Sequence, residues 1–163
     1  MDSRLREIAE SEPYRTPVGW LRCFRGIDML SAMLILAELH DFRRFGTPRA
    51  LMAYLGLVPG EDSSGEKHRR GRITRTGNAL VRRVLVETAW HYQHRPGIGV
   101  ALARRRKGQP GRVIAIADKA QQRLCRRFRK LAAEHKPAPK IAVAIARELA
   151  GLWAALQPEP ATV

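Results

Sequence analysis

The chain has 163 residues, which is room for one compact domain or for one domain with a short appendage. Hydrophobic residues make up 45% and charged residues 28%, which excludes a largely disordered chain and allows a core without disulfides or metal. Thirty Lys and Arg against fifteen Asp and Glu give a net charge of +15. This excess indicates a polyanionic partner, nucleic acid first and an anionic membrane surface second.

The start of the chain predicts short helices. Residues 3–11 could form the end of a helix, which Pro13 and Pro17 would break. Residues 18–24 and 30–39 are two apolar segments, and the second shows helical spacing.

The next elements are a helix and a long loop. Thr47 followed by proline is typical of a helix N-cap and first turn, so a helix is expected over residues 49–55, ending at Gly56. Residues 57–77 lack a helical period and are rich in Gly, Ser and basic residues. They predict one long loop, or a loop with a short hairpin around residues 72–74.

The second half predicts helices separated by turns. Asn78 is expected to cap a helix that runs to about His91. A short basic helix to about Lys107 and a long amphipathic helix over residues 113–133 follow, and residues 141–156 form one apolar core helix, too short to span a bilayer. The predicted buried face of the Asn78 helix consists of Leu80, Val84, Leu85 and Thr88.

The positive charge is concentrated in the middle of the chain. Residues 60–130 hold 19 Lys or Arg and 5 Asp or Glu, whereas the remainder is almost neutral. The middle is therefore expected to bind the anionic partner. Cys23 and Cys125 lie far apart without a CxxC motif and are expected to be reduced thiols in the core or at the surface.

Residues 21–32 are a candidate helix-hairpin-helix. In that motif a glycine-rich turn presents backbone N–H groups to a DNA phosphate. Gly26 provides one glycine, but Asp28 replaces the usual second one. Asp28 would repel a phosphate and can instead cap the following helix, so a plain packing turn is the alternative.

The long loop combines hydroxyls with positive charge. Ser63 and Ser64 stand between acidic residues and a basic cluster. Phosphoryl transfer needs a positioned nucleophile and electrostatic stabilisation of the transferring group, although Ser-Ser-Gly is also typical of a flexible turn. The charge would come from Lys67, Arg69, Arg70, Arg72 and Arg75.

The same region resembles the C-terminal domain of DEDD-type insertion-sequence transposases of the IS110/IS116 family. The matching segments are YLGLVP at 54–59, SSG at 63–65, GRITRTGN at 71–78 and VRRVLVE at 81–87. The likeness extends over about residues 20–153, and the pairing of SSG with GRITRTGN is specific.

The resemblance implies a site-specific DNA recombinase that moves an insertion element. In the family a serine of this loop attacks DNA and forms a transient covalent link, and Ser64 is the matching residue, with Ser63 as the fallback. The family also has an RNase-H-like domain whose four acidic residues hold Mg²⁺, and members use a structured guide RNA. No cofactor is expected in this chain itself, and Mg²⁺ is expected only with the acidic domain.

The acidic domain of the family normally lies upstream, and no matching set of acidic residues precedes the likeness here. The resemblance therefore implies three regions: 1–19 as the remnant of a connecting helical segment, 20–156 as the transposase C-terminal domain, and 157–163 as a disordered tail. A chain so composed is expected to be a fragment or a truncated product, inactive without the acidic domain.

Further residues are candidates for contacts to nucleic acid. Arg72, Arg75 and Arg82 are inferred to be phosphate clamps from their charge and position. Trp90 and Tyr92 could stack on bases or pack in the core, and His91 with His94 could share a metal or lie at the surface. The predicted nucleic-acid-binding set is Lys67, Arg69, Arg70, Arg72, Thr74, Arg75, Asn78, Arg82, Arg83, Arg104, Arg105, Arg126 and Arg127, with Arg106 and Lys107 in the same basic run.

These inferences predict an all-α fold in which a helix-hairpin-helix-like start is followed by a basic catalytic loop and helices packing as one domain. The predicted function is the serine-nucleophile and nucleic-acid-binding part of a transposase. The alternatives are a non-catalytic DNA- or RNA-binding product and a structural RNA binder. The expected partners are DNA, a guide RNA and further copies of the full-length form. The expected location is the bacterial nucleoid in the cytoplasm, and no membrane partner is expected.

Overall fold

A computed structural model describes residues 3–64 and 67–157, with the side chains of residues 61–71 and 154 left out of the description. The described residues are mostly helical, which confirms the predicted all-α class. Short 3₁₀ turns cover Phe42–Arg44 and Trp90–Gln93. The elements are α1 (Ser3–Glu10), α2 (Arg15–Leu21), α3 (Met29–Leu39), α4 (Pro48–Tyr54), β1 (Pro59–Ser64), β2 (Lys67–Ile73), α5 (Ala79–Ala89), α6 (Val100–Arg106), α7 (Gly111–Ala133), α8 (Ala138–Leu149) and α9 (Leu152–Leu156).

The helices pack around one apolar core. Helix α5 lies against α3 and α8, and α8 also lies against α7. The side chains of Ile35, Leu124 and Ile145 are fully buried where these helices meet. Burial of this apolar surface is the main stabilising contribution to the fold.

Three helices begin at the caps that the sequence predicts. The side chains of Asp28, Thr47 and Asn78 each accept a hydrogen bond from a backbone N–H in the first turn of α3, α4 and α5. The predicted break at Pro17 is wrong, because Pro17 lies in the first turn of α2. A backbone N–H there has no partner within the helix, so proline removes no hydrogen bond.

The core-facing side of helix α5 coincides only in part with the predicted face. Val81, Leu85, Thr88 and Ala89 are buried, whereas Leu80 is 51% exposed. The helix also ends at Ala89, and the chain continues as a 3₁₀ turn. Leu80 and Val81 are both apolar, so the spacing alone did not decide which of them faces inward.

The end of the chain is not one helix. Residues 141–156 are divided between α8 and α9, which are separated by Ala150 and Gly151. Within the described part of the chain no helix is both long and apolar enough to cross a membrane. Of the predicted tail, Gln157 is described and residues 158–163 lie outside the described residues.

The predicted boundary at residue 19 falls inside α2, and the domain division stays a prediction. Ala9 on α1 and Val18 and Leu21 on α2 are buried in the same core as the later helices. Helix α1 contacts both α2 and α3.

The long loop contains a two-stranded antiparallel hairpin. Strand β1 pairs with β2 from Pro59 opposite Ile73 to Ser64 opposite Lys67, with an irregularity between Pro59 and Glu61. The prediction of a short hairpin around residues 72–74 is therefore wrong in the position and the length of the hairpin. The strands are rich in charged and small residues without alternating apolar positions, so their sequence carried little strand signal.

Candidate nucleic-acid interface

Both candidate nucleophiles lie on the first strand of the hairpin. Ser63 is in register with His68, and Ser64 with Lys67. Ser64 is the last residue of β1, five residues beyond Pro59, which pairs with Ile73. At about 3.4 Å per residue, this places Ser64 roughly 17 Å along the strand from that pair.

The opposite end of the hairpin is joined to the helices through residues 54–58 and 74–78, which we call the hairpin base. The Thr74 N–H donates to the carbonyl of Val58 at 3.0 Å, and the Arg75 N–H donates to that of Gly56 at 3.1 Å. The Asn78 N–H reaches the carbonyl of Tyr54 at 3.4 Å. Backbone pairing thus continues from the strands to the start of α5.

Two glycines allow the two segments of the hairpin base to approach this closely. Gly56 and Gly77 have φ angles of 64° and 81°, in the left-handed region that favours glycine. A Cβ on Gly77 would lie 1.8 Å from the carbonyl oxygen of Tyr54, and one on Gly56 would lie 2.1 Å from that of Thr76. Both positions therefore require glycine on steric as well as conformational grounds.

Arg82, one of the predicted phosphate clamps, is bonded to the hairpin base. Its Nη1 donates to the carbonyl of Leu55 at 2.9 Å and to that of Thr76 at 3.3 Å. The residue is half-buried. Arg82 consequently joins both segments of the hairpin base to helix α5, a role that its charge alone did not suggest.

Asn78 connects the hairpin base to helix α3. Its Oδ1 accepts the Val81 N–H at 2.9 Å, and its Nδ2 donates to Glu38 Oε2 at 2.5 Å. The sequence predicted the cap but missed Glu38, because the two residues are forty positions apart. Both polar atoms of the Asn78 side chain are therefore used to hold the start of α5 in place.

A shallow groove of about 460 Å³ lies between the end of β2 and helix α5. Arg75, Arg82 and Arg83 all line it, so the structure brings three of the predicted nucleic-acid contacts together. Arg83 also forms an exposed ion pair with Glu87, with Nε 3.0 Å from Oε1. An exposed pair of this kind is weak and leaves the guanidinium accessible to a stronger anion.

The residues that lead into this groove are exposed. Arg72, Thr74 and Arg75 are all accessible, and the Thr76 hydroxyl donates to that of Thr74 at 3.1 Å. Arg75 has a φ of 56°, a strained conformation for a residue with a side chain.

For the other basic residues of the hairpin that are predicted to bind nucleic acid, the structure describes only the position of the backbone. Lys67, Arg69 and Arg70 lie on β2, in register with Ser64, Asp62 and Glu61. Their side chains, like those of the two serines, are outside the described part of the structure.

The other predicted contacts lie on α6 and α7. Arg104 is exposed and Arg105 is half-buried, whereas Arg126 and Arg127 are both exposed. Arg127 Nε is 3.5 Å from Glu148, so part of its charge is compensated from α8. The hairpin and these helices therefore present separate groups of arginines.

Arg106 is a structural residue, so the expectation of a nucleic-acid contact is wrong for it. Its side chain is only 5% exposed. Its Nε donates to the carbonyl of Cys23 at 3.0 Å, and its Nη1 donates to Asp118 at 2.6 Å. It joins α6 and α7 to the turn after α2, and a buried arginine needs such partners.

The turn of the candidate helix-hairpin-helix, between α2 and α3, is packed against other parts of the protein. Asp28 caps α3, as the alternative reading required, by accepting the Ser31 N–H at 2.8 Å. Gly26 has a φ of 82°, and a Cβ there would lie 2.7 Å from the ring of His91. Packing and capping account for this glycine and this aspartate, and a phosphate contact by the turn stays a prediction.

The two aromatic residues considered for base stacking, Trp90 and Tyr92, pack in the protein instead. Tyr92 is buried, and its hydroxyl donates to the carbonyl of Arg25 at 3.1 Å. Burial raises the pKa of Tyr92 far above its usual value. Trp90 is half-buried against Phe128, with ring centroids 6.3 Å apart. Among the described residues no three His, Cys, Asp or Glu side chains form a group that could hold a metal ion.

Both cysteines are free and buried, as expected for reduced core thiols. Burial raises the pKa of Cys23 and of Cys125, so both thiols are protonated at neutral pH.

Similar proteins carry transposase names. A Sinorhizobium fredii protein with the transposase name y4qE is 47% identical over 151 residues, covering 90% of this chain and 39% of the relative. The transposase for insertion sequence element IS1533 of Leptospira borgpetersenii is 41% identical over 139 residues, covering 83% of this chain and 40% of the relative. The chain thus spans about two fifths of the length of these relatives.

A further relative gives a shorter match. The transposase for insertion sequence element IS1111A of Coxiella burnetii is 36% identical over 64 residues, which is 39% of this chain and 18% of the relative. The model of the transposase IS116/IS110/IS902 family matches residues 20–103, from α2 through the hairpin to α6. Since that match covers just over half of the sequence, the chain belongs to the IS116/IS110/IS902 family of transposases.

Proposed function

We propose that this chain is the serine-nucleophile and nucleic-acid-binding part of an insertion-sequence transposase. The observation that carries the proposal is that the family match includes the whole hairpin and its base. The strand that bears Ser63 and Ser64 is thus attached to an ordered junction of glycines, Asn78 and Arg82. A nucleophile needs such positioning to attack a phosphate in line.

The proposed reaction is a transesterification at a DNA phosphodiester. The oxygen of Ser64 attacks phosphorus and forms a serine–phosphate ester, while the bond from phosphorus to one sugar oxygen breaks. The serine proton is given up to a base, and the departing sugar oxygen takes a proton. Attack by a sugar hydroxyl of another strand reverses the chemistry and releases the serine, so the backbone is rejoined without an external energy source.

The arginines near the hairpin would stabilise the charge on the transferring phosphate. Arg72 and Arg75 are both exposed, Arg75 lines the groove, and both are proposed to contact phosphate oxygens directly. Arg82 is proposed to act mainly by holding the hairpin base, because its Nη1 is bonded to two backbone carbonyls.

Other parts of the proposal concern partners of the complete system. The described residues do not contain a group fit to hold Mg²⁺, and the relatives are longer than the matched region. We propose that an acidic domain supplies the metal, that a structured guide RNA selects the DNA, and that the complete form assembles as a homo-oligomer. A cytoplasmic location at the bacterial nucleoid belongs to the same proposal.

A chimera tests the nucleophile. The matching region of the 47% identical Sinorhizobium fredii relative is replaced by this chain, and the product is incubated with Mg²⁺, element RNA and element-end DNA. We expect a covalent DNA–protein adduct that resists denaturation. Ser64→Ala should abolish the adduct, and Ser63→Ala is the matched control because it removes the same hydroxyl one residue earlier.

The two serine variants decide between the assignments. Loss of the adduct in Ser63→Ala alone would move the nucleophile to Ser63. Persistence of the adduct in both single variants and in the double variant would refute a serine mechanism for this hairpin.

The alternative function is nucleic-acid binding without catalysis. The exposed arginines of α6 and α7 favour it, because they lie on other elements than the two serines. Either function requires that affinity for DNA or RNA fall with salt, by a slope of about −0.9 per duplex phosphate contacted. A flat salt response would contradict both. Binding with a steep slope but without any adduct in the chimera would support the non-catalytic role.

A further inference from the structure

A second group of arginines surrounds a cavity beside the turn between α2 and α3. The cavity has a volume of about 370 Å³ and lies between this turn, the 3₁₀ turn after α5 and the start of α6. Arg25, Asp28, His91 and Arg105 are among the residues that line it. None of these residues belongs to the groove beside the hairpin.

Guanidinium groups at this cavity and beside it carry unsatisfied donors. The Nε atoms of Arg105 and Arg22 are buried and have no hydrogen-bond partner in the part of the chain that the structure describes. Buried polar groups of native proteins are almost always hydrogen-bonded, and an unpaired donor on a charged group is especially unfavourable. These two atoms are therefore suited to an acceptor that the protein does not provide.

The local charge favours an anion as that acceptor. Burial lowers the pKa of Arg105, and the neighbouring charges of Arg22 and Arg106 lower it further. Arg106 is ion-paired with Asp118, although its Nη2 is also buried without a partner among the described residues. Asp28 lines the cavity as well, and its carboxylate, which accepts the Ser31 N–H, opposes an anion there, so the arginines have to outweigh it.

We propose that Arg25 and Arg105, which line this cavity, bind a phosphate group there together with Arg22 beside Arg105. A guanidinium presents a planar fork of donors that matches phosphate oxygens, so one phosphate can satisfy the free Nε atoms and offset the repulsion between Arg22 and Arg105. Arg25 lines the cavity and is held in place by a 2.8 Å bond from its Nη1 to the carbonyl of Arg95. The site depends neither on the serines nor on the groove beside the hairpin.

The phosphate could be part of a nucleic-acid backbone or a free phosphate ester, and the test distinguishes these sources. The intact chain is titrated with inorganic phosphate against a chloride background of constant ionic strength, and the Nε–H signals of arginine are followed by NMR. The signals of Arg105 and Arg22 should shift and saturate. Arg105→Gln should weaken phosphate binding by about tenfold or more, because it removes a charge-assisted contact.

Arg49→Gln is the matched control, since it removes the same charge from an exposed position of α4 that is not among the predicted nucleic-acid contacts. We expect it to change phosphate affinity by less than about twofold. Arg105→Gln removes an unpaired donor, so its melting temperature in chloride should not fall, and Arg22→Gln provides a second variant in case it does. Equal losses in Arg49→Gln and Arg105→Gln, or no saturable shift of either Nε–H signal, would overturn the proposal.

The source is identified by repeating the titration with a nucleoside monophosphate and with a short single-stranded oligonucleotide. A loss of oligonucleotide affinity in Arg105→Gln but not in Arg49→Gln identifies a backbone phosphate. A loss confined to inorganic phosphate and the monophosphate identifies a free ester. Either result supports the site, and the serine adduct assay is unaffected by both.

Discussion

Replacement of Gly77 by alanine tests whether close approach within the hairpin base determines the local structure. Gly77 has a φ of 81°, and an added Cβ would lie 1.8 Å from the carbonyl oxygen of Tyr54. That contact is far shorter than any van der Waals distance, and the obstructing atom is backbone. Tyr54 also accepts the Asn78 N–H, so a displacement would disturb the start of α5 as well.

Gly108 provides a matched control for the conformational part of the effect. Its φ is 78°, nearly that of Gly77, but no atom of the described residues lies within 4 Å of the position of an added Cβ. Alanine in the left-handed region costs about 1 kcal/mol, and we expect Gly108→Ala to lose that amount. Forced overpacking adds about 1–3 kcal/mol, so Gly77→Ala should lose roughly 2–4 kcal/mol of the free energy of unfolding.

Thermal unfolding measures the difference. In a chain of this size 1 kcal/mol shifts the melting temperature by roughly 2–4 °C. Gly108→Ala should therefore melt about 2–4 °C below the parent chain, and Gly77→Ala roughly 4–16 °C below it. Equal losses in the two variants would show that conformation alone matters and that the close contact with Tyr54 does not constrain the hairpin base.

Three further substitutions probe individual contacts. Asn78→Asp keeps the helix cap but replaces the donor to Glu38 with a like charge, so it should lose about 2 kcal/mol of stability in denaturant unfolding, and Glu38→Gln in the same chain should restore most of the loss. Arg82→Gln should lose about 1–3 kcal/mol of stability, because it removes the two hydrogen bonds to backbone carbonyls. Arg83→Gln, whose ion pair is exposed, should change stability by less than about 0.5 kcal/mol. Equal effects of the two substitutions would contradict the assignment of Arg82 to the hairpin base. Burial raises the pKa of Asp28, but hydrogen bonds at the start of α3 lower it more, so the net pKa is below its usual value. Its stabilising contribution is present above the unfolded-state pKa of about 4 and is lost as pH falls through the lower folded-state pKa, so an acid titration of Asp28→Asn should show a smaller loss than the parent chain.

The sequence predicts the helix starts well because each depends on one side chain next to its own helix. Asn78, Thr47 and Asp28 cap the helices they precede. The acceptor oxygen and the backbone N–H it binds are separated by three residues, so no knowledge of the tertiary structure is needed.

The hairpin was harder to predict because its strands are held by backbone hydrogen bonds. Neither β1 nor β2 has the alternating apolar pattern that marks a half-buried strand. Pairing is favoured instead by the junction at Gly56 and Gly77, where backbone segments meet across about twenty residues of sequence. The family motif located this region without indicating its geometry.

Arginines show most clearly what the sequence leaves open. The net charge of residues 60–130 counts every guanidinium alike, yet Arg106 is buried against Asp118 and Arg82 is bonded to two carbonyls, while Arg104 and Arg126 are exposed. A guanidinium whose donors are taken by protein acceptors does not exchange water and counterions for the phosphates of a nucleic acid. Exchange of Arg82 or Arg106 for glutamine should therefore lower stability with little change in the salt dependence of binding, and exchange of Arg104 or Arg126 should do the reverse. The charge of this chain thus serves two purposes, and the two kinds of arginine can be separated by measuring unfolding and salt slope on the same variants.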